Sequence, residues 1–246
     1  MKIIILAAGR GSRMGIETAN KPKCMTVLFG KPLIEHIVKT FIEAGFKSTD
    51  IGIVTGYKKE LIQIPNVKYF HNAQWESTNM FVSLTKASEW LENEPCIMSY
   101  SDILFKPSVI TKLKNSSGDI SITYYTKFWE LWSMRFNNPL EDLETFKLRG
   151  HRLIEIGKQP LCKDDVAGQY MGLIKFTPTG WNMVQDAIKL PMEKTLYKLD
   201  MTTLLQHLIQ QGHIIEAIPT DELWLECDNM NDVQTYETNL EYTTKR

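Results

Sequence analysis

The chain has 246 residues, 43% hydrophobic and 23% charged, and 28 basic against 29 acidic side chains leave a net charge of −1. This balance suits a globular α/β protein and excludes a nucleic-acid binder that works through a broad basic surface. No apolar run reaches the ~20 residues of a membrane span, and the opening one stops at Gly9, before Arg10 and Arg13, too soon for a signal core. The four cysteines stand apart with no Cys-x-x-Cys pair or histidine cluster, which argues against a zinc site or a disulfide framework. A cytoplasmic protein with no membrane or nucleic-acid partner is expected.

In chain order, Lys2 to Leu6 reads as a strand buried on both faces. Leu33, Ile34, Ile37, Val38, Phe41 and Ile42 recur at helical spacing and stop at Gly45. Strands follow at Ile51–Thr55 and Val67–Phe70, a helix at about Ser77–Leu91, a buried strand at Cys96–Tyr100 and a short helix opened by Pro107. Asp119–Tyr125, Thr145–Arg149, Arg152–Gly157 and Tyr170–Phe176 read as further strands, with a tight hairpin at Arg149-Gly150-His151. Between the first two lies an aromatic and polar loop with Trp129, Trp132 and Arg135. A helix around Leu204–Ile209, strands near Ile214–Ile218 and Glu222–Glu226, and a helix from about Asp232 end the chain. We expect one mixed α/β domain over residues 1–246, with a small β-rich lobe at about 127–165.

Leu6-Ala7-Ala8-Gly9-Arg10-Gly11-Ser12-Arg13-Met14 follows the first strand directly, at the sheet edge where open α/β folds bind ligands. Its small residues let backbone amides approach an anion, and Arg13 suits a forked phosphate contact. A dinucleotide fingerprint wants glycine where Met14 stands, and a Walker loop wants Gly-Lys-Ser/Thr at its end. A purely structural turn remains open on this segment alone. Shortly afterwards comes Asn20-Lys21-Pro22-Lys23, whose proline stiffens the chain so that a lysine can be aimed.

Together, the loop and Lys21-Pro22-Lys23 resemble the signature of the nucleoside triphosphate transferases that make sugar nucleotides and CDP-alcohols. The resemblance implies a Rossmann-like nucleotidyltransferase fold, a mixed and mostly parallel sheet flanked by helices. It also implies that Leu6, Ala7, Ala8, Gly9, Gly11, Ser12, Arg13, Lys23, Asn79 and Ser101 bind the nucleotide, with Lys23 and Arg13 acting on its phosphates. Asn79 serves equally well as a helix N-cap. Asp102, after Cys96–Tyr100, and Asp228, in Trp224-Leu225-Glu226-Cys227-Asp228, match the family's Mg²⁺ ligands.

Further segments occur in one order: Asn20–Met25, Tyr100–Ile103, Leu131-Trp132 with Arg135-Phe136, Asn138–Asp142, Gln169–Leu173, Met201-Thr202 and Trp224–Asp228. They are similar to a bacterial cytidylyltransferase branch acting on phosphocholine- or phosphoglutamine-type acceptors for surface polysaccharides. This implies transfer of CMP from CTP to a small phosphorylated acceptor, with release of pyrophosphate; a homodimer is open, since the sequence does not fix the oligomeric state. Trp129, Trp132, Arg135, Glu141, Asp142, Gln169, Gly172 and Asp200 are then the acceptor side. The tryptophans fit core packing equally well, and Arg135 fits a structural ion pair with Glu141 or Asp142. A sugar-1-phosphate or aminoethylphosphonate acceptor, UTP or dTTP as donor, and a non-catalytic nucleotide sensor remain open.

Overall fold

A run of β-branched residues with no polar alternation is suited to burial on both faces, and in β1 (Lys2–Ala7) Ile3, Ile4 and Ile5 are fully buried. A computed structural model describes residues 1–240 of the chain. After β1 come the short pair β2 (Val27–Leu28) and β3 (Lys31–Pro32), then α1 (Leu33–Glu43), β4 (Ile51–Thr55) and β5 (Lys68–His71). Next are α2 (Met80–Thr85), α3 (Ser88–Leu91), β6 (Cys96–Tyr100), β7 (Ile103–Phe105), α4 (Pro107–Lys114), β8 (Ile120–Tyr125) and α5 (Phe128–Arg135). The chain continues with β9 (Phe146–Arg149), β10 (Arg152–Ile156), β11 (Gln169–Phe176), α6 (Pro178–Ala187) and α7 (Met201–Gln210). It closes with β12 (Glu216–Thr220), β13 (Trp224–Glu226) and α8 (Met230–Asn239).

One nine-stranded sheet has the order β5-β4-β1-β6-β11-β8-β12-β10-β9, with β11 and β10 running against the other strands. This is the mixed and mostly parallel sheet that was expected. β4 pairs with one edge of β1 and β6 with the other, both in parallel, so the strand order reverses at β1. The carboxyl ends of β1 and β6 therefore flank the crevice where such sheets take ligands.

A second, two-stranded ribbon lies outside the main sheet. β13 pairs antiparallel with β7 in the register Trp224↔Phe105, Leu225↔Leu104 and Glu226↔Ile103, and the Cys227 amide donates to the Asp102 carbonyl at 2.9 Å. Asp102 and Asp228 are 126 positions apart, and this ribbon makes them neighbours.

Four expectations change. The helix expected at Ser77–Leu91 is two pieces, because Asn79 caps α2 and Ala87 leaves helical geometry before α3. The expected aromatic loop contains α5, whose Phe128, Leu131, Trp132 and Arg135 are buried. The hairpin β9–β10 joins the main sheet through Arg152↔Glu216, so the strands of the expected lobe form the sheet's far edge. The last helix starts at Met230, where Asn229 and Asp232 form a capping box, instead of at about Asp232. Among the described residues no helix is long and apolar enough to cross a membrane.

Candidate active site

The loop after β1 is built to expose backbone. Ala7 and Ala8 are buried, and the Ala8 carbonyl accepts from the Tyr57 amide at 2.9 Å, while Gly9 faces open space. Gly11, at φ +76°, turns the chain into the short helical segment Ser12–Thr18. Met14, which breaks the dinucleotide fingerprint, anchors that segment with 3% exposure, a burial worth about 2 kcal/mol. Thr18 ties the segment back, its hydroxyl donating to the Gly11 carbonyl at 2.9 Å.

Pro22 is extended and leads into the turn Lys23–Met25, which sends Lys23 under the loop. The Lys23 ammonium donates to Asp102 Oδ2 at 2.5 Å and to Asp228 Oδ1 at 2.9 Å, and Arg13 reaches the same Asp228 oxygen at 2.7 Å. Burial opposes charge on Lys23, but Asp102 and Asp228 more than offset it and hold the ammonium above the usual lysine range. Burial likewise opposes charge on Asp228, and Lys23 and Arg13, then Arg135, keep its carboxyl below its usual value. Glu226, two residues before, is pushed up to about 8 by burial and by the Asp228 charge. Lys21, by contrast, pairs with Glu17 one helical turn away and does not line the cleft.

Gly11 packs against this lysine so closely that a Cβ there would lie 2.5 Å from Lys23 Cβ, on a backbone that side chains rarely adopt. Gly11→Ala is therefore expected to displace Lys23 and cut turnover by about 100-fold. Steady-state turnover and a melting curve on the same preparation check this. Near-normal kinetics in a folded variant would show that the lysine's position tolerates the shift.

Arg135, expected on the acceptor side, is held as a buried brace. Its Nε donates to Asp232 Oδ1 at 2.9 Å and its Nη2 to Asp232 Oδ2 at 3.1 Å, so that edge of its fork is taken. The same Nη2 reaches Asp228 Oδ2 at 3.4 Å, and Nη1 lies 3.6 Å from Glu226 Oε2. Asp232 Oδ2 also accepts from the Asp228 amide at 2.8 Å. Arg135 and Asp232 thus hold Asp228 from behind, and the expected partners Glu141 and Asp142 are not the ones found.

The crevice has a volume of about 540 Å³. Of the expected residues, Leu6, Gly9, Gly11, Arg13, Lys23, Asn79, Ser101, Asp102, Trp132, Asp142, Gln169, Asp200 and Asp228 line it. Others do not. Ser12 is exposed beside it, and Trp129 packs against the core with the Lys163 ammonium 4.7 Å from its ring. Glu141 is exposed and accepts from Asn138. Gly172, at φ +74°, makes room for the Tyr100 ring, which a Cβ would meet at 2.6 Å. Asn79 caps α2 while lining the cleft. A wider groove of about 1010 Å³ beside α1 contains none of the expected residues.

Tyr100, Tyr170, Glu144, Thr202 and Glu226 also line the crevice and were missed. Glu226 was legible as the middle acid of Trp-x-Glu-x-Asp, and Asp232 as the third residue after an Asn cap. Tyr100, Tyr170 and Thr202 lie inside the matching segments Tyr100–Ile103, Gln169–Leu173 and Met201-Thr202, and Glu144 carried no local signal.

Among the described residues no three His, Cys, Asp or Glu side chains are grouped to hold a metal. The donor set still fits Mg²⁺, which usually takes one or two acids plus substrate phosphates. Asp102 Oδ1 is buried with no hydrogen-bond partner, an oxygen left for a cation beside the Asp228 carboxylate.

Residues 3–154 match the family model described as the MobA-like NTP transferase domain. The chain is 32% identical over 250 residues to the CTP:phosphoglutamine cytidylyltransferase of Campylobacter jejuni, covering 95% of this chain and 98% of that one. Among solved structures, the CTP:phosphocholine cytidylyltransferase from Streptococcus pneumoniae superposes with a TM-score of 0.70 at 21% identity, covering 98% of this chain and 99% of that one. The inositol-1-phosphate CTP transferase from T. maritima does so with a TM-score of 0.73 at 17% identity, covering 98% of each. At these identities the two structures speak for the fold.

Proposed function

Because the chain belongs to the MobA-like NTP transferase family and is a nucleotidyltransferase, we propose that it moves CMP from CTP to a small phosphorylated acceptor of phosphoglutamine or phosphocholine type. A phosphoryl oxygen of the acceptor attacks the α-phosphorus of CTP in line. The bond from that phosphorus to the bridging oxygen breaks, and pyrophosphate leaves with the electron pair. The acceptor brings its own nucleophile, so the protein's work is positioning and charge stabilisation.

The observation that carries this reading is the Lys23 ammonium held between Asp102 and Asp228 at the carboxyl ends of β1 and β6. Lys23 would stabilise charge on the α-phosphate, and Arg13 with the amides around Gly9 and Gly11 would hold the outer phosphates. Asp102 and Asp228 would hold Mg²⁺, which when bound neutralises phosphate charge. Both cations now engage aspartate, so triphosphate binding exchanges carboxylate contacts for phosphate ones. Gly9 leaves the space that this close approach needs.

Pyrophosphate release with Mg²⁺, across the five common nucleoside triphosphates and a panel of phosphorylated alcohols, amino acids and sugars, is the test. Release is expected with CTP and a non-sugar acceptor, and chelation by EDTA is expected to stop it. Turnover confined to UTP or dTTP with a sugar-1-phosphate would replace this reading with a sugar nucleotidyltransferase. CTP binding without turnover on any acceptor would point to a sensor.

A further inference from the structure

The loop after β1 does little to hold its own shape. Between Gly9 and Ala19 only Met14 and Thr18 are buried, Ile16 is 93% exposed, and Gly11 and Gly15 have positive φ. Its internal hydrogen bonds include the Thr18 hydroxyl on the Gly11 carbonyl, and the Met14 and Ala19 amides on the Gly11 and Ile16 carbonyls, both at 3.0 Å. A segment with so few buried contacts opens locally at small cost. Every residue that must then be ordered around a ligand subtracts from its affinity.

Tyr57, just past the end of β4, holds the loop from outside. Its amide donates to the Ala8 carbonyl at 2.9 Å, where the loop begins, and its hydroxyl donates to the Ala19 carbonyl, where the loop ends. One residue thus closes both ends. The tyrosine is itself fixed. Gly56 brings the chain so close that a Cβ there would lie 2.5 Å from the Ala8 carbonyl oxygen and 2.6 Å from Trp75 Cβ. The Tyr57 and Trp75 rings pack with centroids 5.0 Å apart. Trp75 lies in a segment organised by Asn72, whose amide donates to the Thr55 carbonyl at 2.8 Å. The buried Asn72 side chain donates to the Thr78 and Ser83 hydroxyls at 2.9 and 3.0 Å. That segment leads to Asn79 on the crevice wall, whereas Tyr57 stands behind the wall.

We propose that Tyr57 is a positioning residue, whose hydroxyl keeps the loop in its binding shape and so sets how tightly a triphosphate is held. The inference rests on the cytidylyl-transfer reading only for the ligand that the loop takes. Lys23 is fixed separately, by Asp102 and Asp228, so the hydroxyl contributes to binding and not to the chemical step.

Tyr57→Phe keeps the ring and the amide and removes only the bond to Ala19. It is expected to raise KM for CTP roughly five- to tenfold, with kcat changed less than about twofold. In the free protein, hydrogen exchange at the Met14 and Ala19 amides is expected to speed up by a similar factor, with β1 and β4 unaffected. Tyr69→Phe is the control, because the Tyr69 hydroxyl bonds the Ile64 backbone in a loop away from the crevice, and it should change neither readout. Unchanged KM and exchange in Tyr57→Phe overturn the proposal. So does a loss spread over β1 and β4 with a lowered melting temperature, which would make the tyrosine a general support of the fold. A chain that turns over no nucleotide sinks the catalytic reading, and exchange in the free protein then decides alone whether Tyr57 holds the loop.

Discussion

Lys23→Ala is expected to lower turnover by roughly a thousandfold, with the loss mainly in kcat, because its ammonium acts on charge that grows in the transition state. The lysine's stem lies under Gly11, and its head is fixed by two carboxylates, so no other cation can take its place from a neighbouring position. Arg13 is the nearest alternative, but its side chain is largely exposed and reaches the site from the loop's outer side. Asp228→Ala is expected to be as damaging, since it removes a carboxylate shared by Lys23, Arg13 and Arg135. Single-turnover measurements at saturating CTP, paired with melting curves, separate these losses from unfolding. Activity within about tenfold of the parent in Lys23→Ala would remove the lysine from the reaction.

Arg135→Met is expected to cost about 3–5 kcal/mol of stability, a far larger effect than a surface charge change would give. The arginine side chain is fully buried, and its removal strands Asp232, also fully buried, and Asp228 beside it. At roughly 2–4 °C per kcal/mol for a chain of this size, the melting temperature should fall by about 10 °C. Urea unfolding provides the free energy. Adding Asp232→Asn should return part of the loss but not all of it, because Asp232 also accepts from the Asp228 and Asn229 amides. A single Arg135→Met variant that melts within about 2 °C of the parent would mean that the brace is dispensable.

Segments whose structure depends on near neighbours were legible in the sequence. Ile51–Thr55 and Cys96–Tyr100 form strands with the expected bounds, because an unbroken apolar run between turn residues needs no distant information to become a buried strand. α1 follows from its periodic apolar stripe, and the loop from Gly9 to Lys23 follows from glycine, proline and charge at short spacing. The loop and its lysine were therefore readable from the residues as a candidate phosphate site, whereas the two aspartates came from the resemblance to the family.

Where those parts meet was decided in three dimensions. β7 and β13 are three residues each, too short to announce a partner, yet their register puts Asp228 beside Asp102 with Lys23 between them. α5 was hidden because a charged residue, Arg135, fills one buried position of its stripe while Trp129 and Met134 stand outside it, which blurs the helical period. The role of Arg135 had the same obscurity: a guanidinium's forked geometry suits a ligand and a buried aspartate equally, and only packing against α8 assigned it to Asp232. Glu144 and Tyr170 lie on different strands or their approaches, and sheet closure alone brings them to one wall. The sequence by itself determined which side chains carry charge and which backbone segments can bend. Tertiary structure determined which of those charges find partners inside the protein and which are left for a ligand, because burial and pairing are properties of contacts between residues far apart in the chain.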